Sequence, residues 1–154
     1  MDRTRWRLLL ERNALVSLFK NYDDTNLEVV LPAARALLAA RASAAGGAEA
    51  DPYEAAGRAF DEGLPAWRVA RARIQARRRR SDHEILPLFR EPFRPSAFGR
   101  AYWATQRRIV REHGLARVFG AAAVEAAEGL GDFVDELQGR IEELDARLVG
   151  RNEG

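Results

Sequence analysis

The chain is predicted to be all-α: an irregular bundle of about six to seven helices, closed by a coiled-coil-like C-terminal helix. Three observations carry this. Alanine is abundant; Val, Ile and Thr never form an alternating run; and stretches with apolar side chains at helical spacing sit between capping residues and Gly or Pro.

At 154 residues and 47% hydrophobic composition, the chain is long enough for a modest core. The first helix is predicted from about Arg3 to Lys20, with Trp6, Leu8, Leu9, Leu10, Leu15, Leu18 and Phe19 spread over most of its circumference. So wide an apolar arc needs cover on more than one side. Asn21-Tyr22-Asp23-Asp24 reads as a turn, and Thr25 with Glu28 has capping-box spacing. A second helix then runs from about Asn26 to Ala42, kinked at Pro32.

Residues 43–51, with Gly46-Gly47, read as a flexible linker. Pro52 suits a first helical position, and a short helix over Tyr53 to Phe60 ends near Gly63. A fourth helix spans about Pro65 to Arg80, with Trp67, Ala70 and Ile74 inward. Ser81 and Glu84 form a second capping box, opening a short helix with Ile85 and Leu86. Pro87, Pro92 and Pro95 mark an extended connector. Ser96 caps a helix from Ala97 to His113, with Phe98, Tyr102, Ile109 and Val110 inward and Gly114 as its stop. In the last helix, about Gly131 to Leu148, the residues Leu130, Val134, Leu137, Ile141, Leu144 and Leu148 follow a 3.5-residue repeat. That seam either packs on the body or forms a homodimer through 130–148. The organisation is therefore a helical pair (1–42), the linker, a helical region with the arginine-rich helix (52–128), and an acidic amphipathic helix (129–154).

Without cysteine, the chain has no disulfides or thiolate metal sites. His83 and His113 read as helix-surface residues. No apolar run reaches the roughly 20 residues a spanning helix needs, and no signal peptide is evident. The expected location is cytoplasmic, at most peripheral at the inner face of the membrane. The basic residues number 25, of which only Lys20 is a lysine, a bias expected of a GC-rich genome. Charge is uneven: residues 1–124 hold 22 basic and 14 acidic side chains (+8), and residues 125–154 hold 3 and 9 (−6).

Two stretches carry a resemblance. They are Glu11-Arg12-Asn13-Ala14-Leu15 followed by Leu18-Phe19-Lys20-Asn21-Tyr22-Asp23-Asp24-Thr25-Asn26-Leu27, and the later run from Ala72 through Arg77-Arg78-Arg79-Arg80-Ser81-Asp82-His83-Glu84 to Phe89. Over roughly residues 5–118 their order resembles the helical region that follows the catalytic domain in bacterial (actinobacterial-type) family 2 glycosyltransferases, the rhamnosyltransferase-like enzymes of cell-surface glycan synthesis. The resemblance implies a catalytic domain in cis. That domain would bind the nucleoside-diphosphate sugar and a divalent metal, and would transfer the sugar to a glycan or lipid-linked acceptor. No cofactor or metal is expected in this chain, and no catalysis from it alone. It also implies that Leu8, Arg12, Asn13, Leu15 and Phe19 lie toward the catalytic domain. The alternative is a free-standing helical interaction or dimerisation protein with an anion-binding arginine face.

Two candidate sites follow from the residues. Asp23-Asp24 invites comparison with a metal-holding aspartate motif, but the preceding helix and turn favour helix-start chemistry, where the dipole welcomes negative charge. Arg68, Arg71, Arg73, Arg77, Arg78, Arg79 and Arg80 put seven cations in thirteen residues with no acid among them. They read as a solvated face complementing the dipole, or as a contact for anionic lipid headgroups or the pyrophosphate of a lipid-linked acceptor. Nucleic acid fits less well, since no recognised motif surrounds the run.

Overall fold

A computed structural model of the chain describes residues 2–86, 100–125, 136 and 139–141. Among these residues the chain is helical and has no strand, as the composition predicts.

Helix α1 spans Arg3–Asn21, and its N-cap Asp2 accepts the Thr4 N–H at 3.2 Å. Helix α2, Asp24–Ala45, starts two residues earlier than Thr25 and Glu28 suggest. Asp23 is its cap, accepting the Asn26 N–H at 2.8 Å, so Thr25 lies within the first turn. A carboxylate already facing the orphan N–H groups leaves Thr25 no capping role. Pro32 lies on an exposed side of α2, and the helix continues through it.

The flexible linker expected at 43–51 is replaced by helix on both sides of a single residue. Residues 43–45 complete α2, and α3 spans Gly47–Glu62. Gly46, at φ +66°, makes the turn, and its N–H closes α2 on the Ala42 carbonyl at 3.0 Å. The glycines signal a turn, but alanine on either side favours helix up to it. Pro52 is consequently inside α3, buried, and not at its first position.

Helix α4 spans Leu64–Ala76 and ends four residues short of the expected Arg80. Helix α5, Asp82–Ile85, opens on the predicted box: the Glu84 carboxylate accepts the Ser81 N–H at 2.7 Å and its hydroxyl at 3.0 Å. Helix α6, Arg100–Glu112, buries Tyr102, Ile109 and Val110 as predicted, together with Trp103 and Gln106. Gly114, at φ +64°, follows its end. Helix α7 spans Ala116–Phe119. The proline connector, Phe98 and the 130–148 seam apart from Ile141 lie outside the described residues, and Ile141 is 58% exposed.

Helix α2 is the axis of the bundle. Arg7 pairs with Glu49 and Phe19 meets Phe60, so α1 and α3 run side by side in one direction. Arg41 pairs with Glu11 and Arg35 with Asp61, so α2 runs against both. On this side Leu15, Val16, Leu38, Ala42, Tyr53 and Phe60 form one core cluster. On the other side of α2, Val30 and Ala33 join Leu86, Ile109, Val110 and Val118. Burying side chains such as Tyr53, Phe60 and Tyr102 stabilises the fold by roughly 1.5–3 kcal/mol each. Arg41 links three helices, reaching Glu11 at 2.7 Å and the Tyr102 hydroxyl at 3.0 Å.

Candidate functional site

The arginine helix is divided by face. Its packing stripe is Leu64, Trp67, Arg71 and Gln75, continued just past its end by Arg78, and Ile74, expected inward, is 37% exposed. Polar side chains point inward because they meet the C-terminal end of α1. The last carbonyls of a helix have no partner within it. Here α4 supplies one: Arg71 donates to the carbonyls of Phe19 and Tyr22, the latter at 2.7 Å, and to Asp24 at 2.5 Å. Gln75 donates to Lys20 O at 2.9 Å and Tyr22 O at 3.2 Å, and Arg78 to Asn21 O at 3.0 Å. Arg71 also lies over the Phe19 ring, 5.6 Å from its centroid.

Asp82 completes this seam. Its buried carboxylate accepts from Arg78, from the Asp23 N–H at 2.9 Å and from Asn26 Nδ2 at 3.0 Å. Burial works to raise the Asp82 carboxyl, but hydrogen bonds from Asn26, Arg78 and Asp23 outweigh it and hold the group below the usual carboxylate range. Tyr22, beside it, is pushed up to about 12 by burial first and by the Asp82 charge second. Both carboxylates compared above with a metal motif are thus engaged in helix chemistry: Asp23 caps α2 and Asp24 pairs with Arg71.

The expectation that all seven arginines form one solvated face is corrected for two of them. Arg71 and Arg78 are inward, whereas Arg68, Arg73, Arg77, Arg79 and Arg80 are exposed. Nor do four arginines occupy the last turn of a helix, since Arg77 is the cap of α4 and the three after it lie beyond. Beside the exposed cations, Asn21, Arg73, Ile74, Arg77, Arg78 and Ile85 line an open groove of about 410 Å³.

Comparison of the chain with protein-family models, curated proteins and solved structures gave no match. The site therefore rests on its own geometry.

The residues expected to face a catalytic domain do not share one surface. Leu15 is buried at 3% exposure, and Phe19 packs edge-on to Phe60 with centroids 5.9 Å apart, so both are used inside the chain. Leu8 is half-buried, and the half-buried Arg12 donates to the exposed Asn13 at 2.9 Å. The large apolar side chains that α1 leaves to solvent are Trp6 and Leu10, 49% and 51% exposed. His83 is exposed and His113 half-buried beside α2. Among the described residues no three His, Cys, Asp or Glu side chains group as metal ligands, and no helix is long and apolar enough to cross a membrane.

The inward role of Gln75 escaped sequence reasoning. Its signal was the i, i+4, i+8, i+11 stripe of Trp67, Arg71, Gln75 and Arg78, which is visible only if polar residues are allowed on a packing face.

Proposed function

We propose that this chain is the non-catalytic C-terminal portion of a family 2 glycosyltransferase, and that its α1 end packs against the sugar-transferring domain in cis. The observation that carries this reading is the exposure of Trp6 and Leu10, one helical turn apart, on a helix whose remaining large apolar side chains are at least half-buried within the chain. Trp is among the residue types enriched at interface centres, and Leu10 extends the apolar surface beside it. The resemblance of residues 5–118 supplies the identity of the partner. In this reading the donor sugar and the divalent metal are bound by the partner domain, and this chain buttresses it.

The test is the reading frame upstream of Met1 together with co-purification. The proposal expects an in-frame segment encoding strands and an aspartate motif, and expects that segment, expressed separately, to capture the present chain. Trp6→Ala and Leu10→Ala together should weaken capture by at least tenfold. A stop codon and ribosome-binding site directly upstream, with no capture, would refute it.

A further inference from the structure

We propose that the outward face of α4, with the adjoining α5, is a docking surface for an anionic lipid bilayer. The inference goes beyond the catalytic-domain reading and does not rest on it. The surface flanks the C-terminal end of α1, about 22 Å along that helix from Trp6 and about 16 Å from Leu10.

A surface helix ordinarily turns its apolar stripe inward and its charges to water. Helix α4 keeps to this only at its start, where Leu64 and Trp67 pack on the core, and departs from it further on. Past Trp67 its inward side holds Arg71 and Gln75, and Arg78, just beyond the helix, continues the line; all three serve the carbonyls of α1. Its outward face carries Val69, Ala72, Arg73 and Ala76, flanked by Arg68 and Ile74 and followed by the cap residue Arg77, all exposed, with Val69 at 56%. No acidic residue occurs between Glu62 and Asp82. The box at Ser81 and the seam at Asp82 hold α5 so that Ile85, 36% exposed, shares the groove with Ile74.

Five exposed arginines surrounding exposed Val and Ile side chains have the chemistry of an interfacial element. The cations meet headgroup phosphates while the apolar side chains enter the headgroup boundary. A nucleic-acid duplex or a purely anionic peptide would use the cations and leave Val69, Ile74 and Ile85 in water, whereas an anionic bilayer engages both classes of side chain. Arg71 and Arg78 take no part, because the fold uses them.

The experiment is vesicle co-sedimentation of the whole chain at 0.15 M NaCl, with phosphatidylglycerol and phosphatidylcholine at 1:3 and with phosphatidylcholine alone. Binding is expected only to the anionic vesicles. The variant Arg73→Gln/Arg77→Gln/Arg79→Gln/Arg80→Gln should bind about 10²–10³-fold more weakly, near fivefold per cation removed. The variant Val69→Ser/Ile74→Ser/Ile85→Ser should bind at least tenfold more weakly at unchanged charge. Circular dichroism checks that each variant is folded. If the quadruple variant does not fold, raising salt to 0.5 M on the wild-type chain should give a comparable loss. Undiminished binding of the serine variant would overturn the proposal, as would a duplex DNA or poly-glutamate held more tightly than the anionic vesicles, or no vesicle binding by the wild-type chain.

Discussion

The Asp82 carboxylate accepts the backbone N–H of Asp23 at 2.9 Å across a sequence separation of 59 residues. Asp23 is itself the cap of α2, so one carboxylate fastens the α1–α2 turn to the start of α5. Arg78 donates to the same carboxylate and to the Asn21 carbonyl, joining α4 to that junction.

Acid should loosen this junction. The folded Asp82 carboxyl lies below its ordinary 3.8, since the hydrogen bonds it accepts outweigh the effect of burial. A depressed folded-state pKa contributes stability above the unfolded value, and that contribution is lost as pH falls through the folded one. Asp82→Asn should therefore lower stability at pH 6 and flatten the loss of stability below about pH 4. Urea midpoints from pH 6 to pH 2 test this, and parallel curves for the two proteins would contradict it.

Alkali acts through Tyr22, whose folded pKa is raised to about 12 from 10.0 by burial and then by Asp82. A raised folded-state value means that this stability is fully present below pH 10 and is lost as pH rises toward 12. Tyr22→Phe should remove that dependence, giving flatter unfolding midpoints between pH 10 and 12. A slope unchanged by the substitution would mean that the phenol is not responsible.

Gly63 is required by an indole. A Cβ there would lie 2.6 Å from Trp67 Cε2 and nearer still to Nε1, although φ is an ordinary −82°. Gly63→Ala should cost about 1–3 kcal/mol through this overlap and shift Trp emission. Gly57→Ala, within α3, is the control, because its Cβ would meet Leu38 Cδ2 of α2 at 3.6 Å, an ordinary contact. It should stabilise by about 0.5–1 kcal/mol. Equal effects at the two glycines would dispose of the packing argument.

The two ends of α1 should respond differently to truncation. Phe60→Ala removes a ring at 1% exposure and leaves Phe19 without its edge contact, at a cost of about 3–5 kcal/mol. Leu10→Ala, at 51% exposure, should change the stability of the isolated chain by less than about 0.5 kcal/mol. A large loss from Leu10→Ala would show that this residue is already packed in solution.

What the sequence made legible was local. Alanine content and the absence of alternation gave the helical class; the Ser81 and Glu84 spacing gave a box that forms; Gly114 gave the end of α6. The misreadings share a cause, which is competition from elsewhere in the chain. Thr25 has good capping spacing, but Asp23 caps the helix two residues earlier, and the Leu27 N–H that Thr25 could take is already bonded to the Asp23 carbonyl. Ile74 suits an apolar face, but the unpaired carbonyls of α1 draw Arg71, Gln75 and Arg78 inward and turn Ile74 outward. An arginine run looks uniform in one dimension. Only the position of the α1 end, up to 57 residues earlier, separates the inward cations from the outward ones.

That separation is tested most directly by comparing the thermal unfolding of Arg78→Gln and Arg77→Gln, adjacent residues with the same chemistry removed. Arg78 and Asp82 side chains are 17% and 7% exposed, and breaking the pair leaves a buried carboxylate short of a partner. The account predicts a loss of about 3 kcal/mol for Arg78→Gln and a change under about 0.5 kcal/mol for the exposed Arg77→Gln. Equal losses in the two variants would contradict it.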